Sequence, residues 1–183
     1  MYNQRLFIIM ALFGILLLIP QPSRAEDVSF YAKQEVEKGW EAFNEGNLAA
    51  AVKSFQQATV IDPKYAPAYY AMGHGSLAQN RLSDAIANFK KAIELADPPM
   101  VEAYINLGFA LTLSGRDKEG LEVYNQALAI DPMNKELHLN LADYYCSQMN
   151  GKKAWEHIRF AQKMKAEISE EQLDEMRSLC PEE

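Results

Sequence analysis

The chain has 183 residues, of which 49% are apolar, enough for one domain with a sizeable core. Its formal net charge is −7, which argues against nucleic acid or an anionic membrane surface as the partner, because both require basic patches. The two cysteines, Cys146 and Cys180, do not form a disulfide framework, and no CxxC pair is present for zinc, redox chemistry or haem attachment.

The first 25 residues have the organisation of an export signal. Arg5 precedes an uncharged apolar run over residues 6–19, and Ser23-Arg24-Ala25 places small residues where signal peptidase requires them. As a helix this run is about 21 Å long, shorter than the roughly 30 Å hydrocarbon core. The sequence therefore predicts cleavage after Ala25 and a periplasmic or secreted protein. The alternative is an uncleaved signal anchor in the inner membrane, with the domain outside the cytoplasm.

After a short flexible lead-in predicted at residues 26–31, one helical hairpin recurs four times, at 32–65, 66–100, 101–134 and 135–168. Small residues recur 34 or 35 positions apart where the two helices of a hairpin cross, and they are Gly39, Gly73, Gly108 and Ala142. A larger side chain there would push the helices apart. Aromatic residues in the second helices, Phe55, Phe89 and Tyr124, are expected to fill the space between hairpins.

Several of these positions agree in phase with a known repeat. The segments Tyr69-x-x-Met72-Gly73, Tyr104-x-x-Leu107-Gly108-x-x-Leu111, Ala85-x-x-x-Phe89-x-x-Ala92 and Asp131-Pro132 resemble the tetratricopeptide-repeat (TPR) signature over residues 32 to 168. The fourth copy is degenerate, with His138 and Ile158 at aromatic sites and Ala142 in place of glycine. The resemblance implies an all-α, right-handed α-solenoid of TPR hairpins.

A capping helix is predicted at residues 169–180. Ser169 and Gln172 have the spacing of a capping box, and Leu173, Met176 and Leu179 form an apolar stripe at helical spacing. Solenoids need such a helix to cover the apolar face of their last repeat.

The resemblance implies that the concave face of the first helices holds a peptide or helix of another protein. The residues at the corresponding repeat positions are Val36, Trp40, Phe43, Tyr70, His74, Ile105, Phe109, Leu139 and Asp143. Val36 and Trp40 stand where the carboxylate clamp of the best-known subfamily has Lys and Asn, and the acidic residues nearby would repel a carboxylate. The groove is therefore expected to bind apolar anchors. The alternative is that part of this set is core, with Trp40 packed against the lead-in segment.

No enzyme motif occurs in the sequence, and the three histidines lack the spacing of a metal site. We therefore expect no catalytic residue, metal or cofactor, and a scaffold, adaptor or assembly factor that binds an unidentified protein in a cell-envelope complex. The alternative is a structural subunit that self-associates through its groove or edge. A membrane contact is expected only for the uncleaved signal, and the oligomeric state is open.

A disulfide between the two cysteines is also left open. Cys146 and Cys180 are both twelfth in their predicted helices. Equivalent positions on packed helices lie about 8–10 Å apart, beyond the roughly 7 Å at which cysteines can be bridged.

Overall fold

The computed structural model describes residues 24–182, and in this part of the chain it has nine α-helices and no strand. They are α1 Arg24–Asn44, α2 Leu48–Ile61, α3 Ala66–Ala78, α4 Leu82–Leu95, α5 Val101–Leu113, α6 Asp117–Ile130, α7 Lys135–Ser147, α8 Gly151–Lys163 and α9 Glu170–Leu179. None of these nine helices has the length and apolar character needed to cross a bilayer. Apart from Arg24 and Ala25, which begin α1, the predicted export signal lies outside the described residues.

The helices pair into four antiparallel hairpins that stack in chain order. Within the described residues α1 packs on α2, α3 on α4, α5 on α6 and α7 on α8, and each hairpin also contacts the next. The first helix of one hairpin touches the first helix of its neighbour, as α1 touches α3 and α5 touches α7. The first helices therefore share one face of the right-handed solenoid, and the predicted all-α fold class is confirmed.

Residues 26–31 are helical, so the prediction of a flexible lead-in is corrected. They belong to α1, the longest of the described helices. No proline or glycine interrupts this stretch, and Glu26 and Asp27 are the acidic residues that favour a helix N-terminus. Phe30 and Tyr31 pack edge to face on each other and remain more than half exposed.

In each of the first three hairpins, an aromatic ring of the second helix packs directly against a glycine of the first helix. The ring of Phe55 lies where a Cβ on Gly39 would be, and Phe89 and Tyr124 occupy the equivalent places at Gly73 and Gly108. All three rings are at most 1% exposed. The aromatic residues therefore pack first inside their own hairpin, rather than only between hairpins as the sequence pattern had suggested.

The turns inside the hairpins need a left-handed backbone. Gly46 and Gly115 adopt φ of 78° and 77° in the first and third hairpins, where glycine has no Cβ penalty. Asn80 and Met149 take φ of 55° at the equivalent places in the second and fourth. The four hairpins thus share one turn geometry although only two have glycine.

Candidate protein-binding groove

The nine predicted groove residues lie on the first helices α1, α3, α5 and α7, but two of them are core. Val36 is 7% exposed and Ile105 is 2% exposed, and both belong to clusters of buried side chains. For these two residues the core interpretation holds, because the neighbouring helices cover them. The other seven residues retain surface that a ligand can contact.

Aromatic side chains line the N-terminal half of the groove. The Trp40 ring lies 5.3 Å from the His74 ring, and the His74 ring lies 4.7 Å from Tyr70, both edge to face. Trp40 also contacts Phe43 and the buried Phe55, at 5.5 and 5.1 Å between ring centroids. Trp40 therefore packs along the groove rather than on Phe30 or Tyr31, and it joins α1 to α3.

The two ionisable side chains of this aromatic cluster, His74 and Tyr70, are held in their neutral forms. Burial lowers the pKa of His74, whose Nε2 atom is buried without a hydrogen-bond partner. Burial raises the pKa of Tyr70 to about 12, and the carboxylates of Glu102 and Glu136 add to this effect. The Tyr70 hydroxyl accepts a hydrogen bond from Asn106 Nδ2 at 3.1 Å. At neutral pH this half of the groove is uncharged and aromatic, with acidic residues at its edge.

The C-terminal half of the groove opens into a cleft between α7 and α9. Leu139 and Asp143 line it from α7, and the cavity volume is about 630 Å³. Its apolar lining includes Ile158, Leu173, Met176 and Leu179, and its acidic lining includes Glu167 and Glu175. Burial raises the pKa of Asp143, and Glu175 raises it further. This cleft has an apolar floor and several carboxylate side chains. None of the side chains that line it is basic.

The capping helix supplies part of this cleft, which repeat positions could not predict. The pattern Leu173, Met176 and Leu179 identified a helix that covers the last repeat, but not that the helix stands off α7 and leaves a cavity. Cys146 also lines the cleft, from the same helix as Leu139. Phe109 on α5 is 40% exposed, which makes it the most accessible aromatic residue of the predicted set.

The histidines of the fourth hairpin have a packing role. His138 is buried, and its Nε2 atom lies 3.1 Å from the carbonyl oxygen of Pro132, which can only accept. His138 Nδ1 lies 2.8 Å from His157 Nδ1, so in the neutral pair His157 donates and His138 accepts. Among residues 24–182 no group of three or more His, Cys, Asp or Glu side chains could hold a metal ion.

Comparison with known proteins places the repeats in one family. A family model described as "TPR repeat" matches residues 41–74, and one described as "Tetratricopeptide repeat" matches residues 70–135. Together they span just over half of the chain.

Curated relatives match the same region. Small glutamine-rich tetratricopeptide repeat-containing protein 2 of Mycosarcoma maydis is 30% identical over 111 residues, which are 61% of this chain and 31% of that protein. Protein STIP1 homolog of Dictyostelium discoideum is 36% identical over 117 residues, 60% of this chain and 21% of the relative. Photosystem I assembly protein Ycf3 of Rippkaea orientalis is 32% identical over 98 residues, 52% of this chain and 56% of the relative. The chain thus spans between about a fifth and just over half of the length of these relatives.

Solved structures have the same fold. The crystal structure of MamA superposes with a TM-score of 0.65 at 21% identity, covering 73% of this chain and 78% of that one. YrrB, described as a TPR protein with an unusual peptide-binding site, superposes with a TM-score of 0.59 at 16% identity, covering 71% of this chain and 66% of that one. At these identities the likeness is one of fold.

Proposed function

Because the chain belongs to the tetratricopeptide-repeat family, we propose that it is a protein–protein interaction scaffold whose concave groove holds an apolar segment of its partner. The observation that carries this proposal is the lining of the groove. It has an uncharged aromatic half around Trp40 and Tyr70, the exposed ring of Phe109, and the apolar cleft between α7 and α9. Aromatic residues provide large contact area with few torsions to order, which suits them to binding sites.

The charges of the groove support a partner segment that carries a basic residue beside its apolar anchors. Glu102 and Glu136 lie near Tyr70, and Asp143 and Glu175 lie in the cleft. A lysine or arginine of the partner would relieve the mutual repulsion of Asp143 and Glu175, whereas a C-terminal carboxylate would add to it. The buried Val36 also stands where a carboxylate clamp has its lysine, so an acidic tail has no cation to bind there.

The names of several relatives describe proteins that organise or assemble others. They include an Hsp70-Hsp90 organizing protein of Triticum aestivum, Photosystem I assembly protein Ycf3 and a dynein axonemal assembly factor. These names support an adaptor or assembly role for this chain. The export signal predicted over residues 1–25 supports a setting in the cell envelope. If the signal is cleaved as proposed, the protein isolated from its native envelope will begin at Glu26.

Site-specific cross-linking tests the groove. Replacing Phe109 with a photoreactive benzoylphenylalanine keeps an aromatic ring at an exposed groove position. The matched control has the same amino acid at Val60, which is 74% exposed on the second helix α2. The proposal predicts that position 109 captures a partner protein in envelope extract and position 60 does not. Equal capture at both positions would contradict binding in the groove.

The captured partner then allows an affinity measurement. Phe109→Ala should weaken binding by about tenfold, corresponding to roughly 1.4 kcal/mol of lost contact, and Val60→Ala should leave the affinity unchanged. Phe109 is a better test than Trp40, whose contact with Phe55 makes its removal a change to the fold as well. If position 109 cross-links only to further copies of this chain, the self-associating structural subunit is the correct function.

A further inference from the structure

Cys180 marks the point where the chain leaves the capping helix. Its backbone N–H still donates to the carbonyl of Met176 at 2.8 Å, but its own φ and ψ of −146° and 75° are not helical. The indole Nε1 of Trp155 donates to the Cys180 carbonyl at 2.8 Å, which holds this residue against α8. As a result Cys180 is 2% exposed although the preceding residue, Leu179, is 70% exposed.

Cys146 faces the capping helix that ends at Cys180. Cys146 lies on α7 and lines the cleft together with Leu173 and Met176 of the capping helix. Burial raises the pKa of Cys146 to about 12, and interaction with the Cys180 thiol adds to the shift. The distance of about 8–10 Å expected between equivalent helical positions does not hold for a residue with the φ and ψ of Cys180. It assumed a helical Cys180, whereas the residue turns inward out of the helix.

Few buried side chains hold the capping helix. Leu173 is the one buried side chain within α9, and the other members of its stripe are half-buried or exposed. Both cysteines are free thiols in the structure. A covalent bond between Cys146 and Cys180 would fasten the end of α9 to α7.

We propose that Cys146 and Cys180 are an oxidation site that forms an intramolecular disulfide, fixing the capping helix and the width of the cleft. The sulfur–sulfur bond forms as each thiol loses its proton, and the two electrons pass to a disulfide oxidant, which is reduced to two thiols. Oxidised glutathione or a protein disulfide of an oxidising compartment is a sufficient oxidant. The bridge closes a loop of more than thirty residues, which restricts the unfolded chain as well as the cap.

Peptide mapping tests the proposal directly. The full-length protein is equilibrated in buffers of reduced and oxidised glutathione, remaining thiols are alkylated, and trypsin is added. Cleavage after Lys135, Lys152 and Arg177 places the two cysteines in fragments 136–152 and 178–183. We expect these fragments to be joined in oxidising buffer, two hydrogen atoms lighter than their sum, and to separate on reduction. Separate alkylation of both cysteines in oxidising buffer, or joining between two copies of the chain, would overturn the proposal.

Hydrogen exchange provides a second measurement. Oxidation should slow the exchange of the α9 amides in the natural sequence and leave them unchanged in Cys146→Ser and Cys180→Ser. The serine variants keep the side-chain size nearly constant, and each leaves one thiol that must still be alkylated once the chain is denatured. If oxidation slows α9 equally in Cys146→Ser, the effect does not come from this bridge and the proposal is wrong.

Discussion

At the level of single residues, a small side chain on the first helix of a hairpin is matched by a large one on the second. In the first three hairpins a glycine of the first helix faces an aromatic ring of the second. In the fourth hairpin Ala142 replaces the glycine and Ile158 replaces the ring, and the two lie in one buried cluster. One methyl group is gained and a ring is lost, so the departure of the fourth repeat from the family pattern is compensated at its partner position.

This exchange predicts the behaviour of a double variant. Gly73→Ala places a methyl group inside the Phe89 ring, and overpacking of this kind costs about 1–3 kcal/mol of the free energy of unfolding. Phe89→Ile alone leaves a gap and is also destabilising. Together they recreate the pair of the fourth hairpin, so the double variant should lose less than the sum of the single changes. Urea unfolding of the natural sequence, the two single variants and the double variant gives the coupling energy between the two positions.

The matched control for the cycle is Gly73→Ala combined with Ile86→Val. Ile86 is a buried residue of α4, like Phe89, but the atoms nearest to a Cβ at Gly73 all belong to Phe89. That pair should be nearly additive. Additive losses for Gly73→Ala and Phe89→Ile would show that the hairpin relaxes elsewhere, and the volume argument would then fail.

Individual groove residues show where sequence reasoning reaches its limit. Position within the repeat predicts which way a side chain points, and this places Trp40, Tyr70 and Phe109 on the first helices. It does not predict how closely the next helix covers the side chain. Val36 and Ile105 point to the same face but are buried, because coverage depends on long-range packing between hairpins rather than on local pattern.

At the level of elements, the capping helix α9 has a well-formed N-terminal cap but limited side-chain packing. Ser169 Oγ accepts from the backbone N–H of Gln172 at 3.2 Å, and Gln172 Oε1 accepts from the backbone N–H of Ser169 at 2.9 Å, so the predicted capping box is confirmed. Beyond it, Leu173 is 5% exposed in a cluster with Trp155 and Ile158, whereas Leu179 is 70% exposed. Within the apolar stripe, Leu173 thus makes a strong packing contact and Leu179 a weak one.

These two leucines form a matched pair of substitutions. Leu173→Ala should lower the free energy of unfolding by about 2–5 kcal/mol, because it removes a buried side chain from the cluster under the cap. Leu179→Ala should change it by less than about 0.5 kcal/mol, because the side chain is already in water. Urea unfolding in reducing buffer measures both without a contribution from a disulfide. Equal losses for the two variants would contradict the packing described for α9.

The two ends of the repeat array lay beyond what internal repetition could predict. Internal repetition indicated four helical hairpins, because small and apolar residues recur in phase. It carried no information on residues 26–31, which precede the first repeat and continue α1. It also could not show that Cys180 turns inward, since that depends on the hydrogen bond from Trp155. Ends are set by single contacts, and periodicity does not report those.

At the level of the whole molecule, the coupling between hairpins is uneven. Contacts between the second and first hairpins and between the third and second are extensive, whereas α6 and α7 make the sparsest contact between successive helices of the repeat array. Leu137 and Leu141 of α7 still reach the buried cluster around Tyr124. In a solenoid each hairpin is stabilised by its neighbours alone, so a weak interface lets the segment beyond it open by itself.

We therefore expect amides of α7 and α8 to exchange with solvent deuterium faster than those of α3 to α6 under native, reducing conditions. Leu173→Ala should widen this difference by loosening the cluster beneath α9, while leaving α3 and α4 at their original rates. Uniform exchange across all four hairpins would mean that the chain opens as one unit. The cleft between α7 and α9 adjoins this segment, so on the proposed function a bound partner would add stability that the α6–α7 interface does not provide.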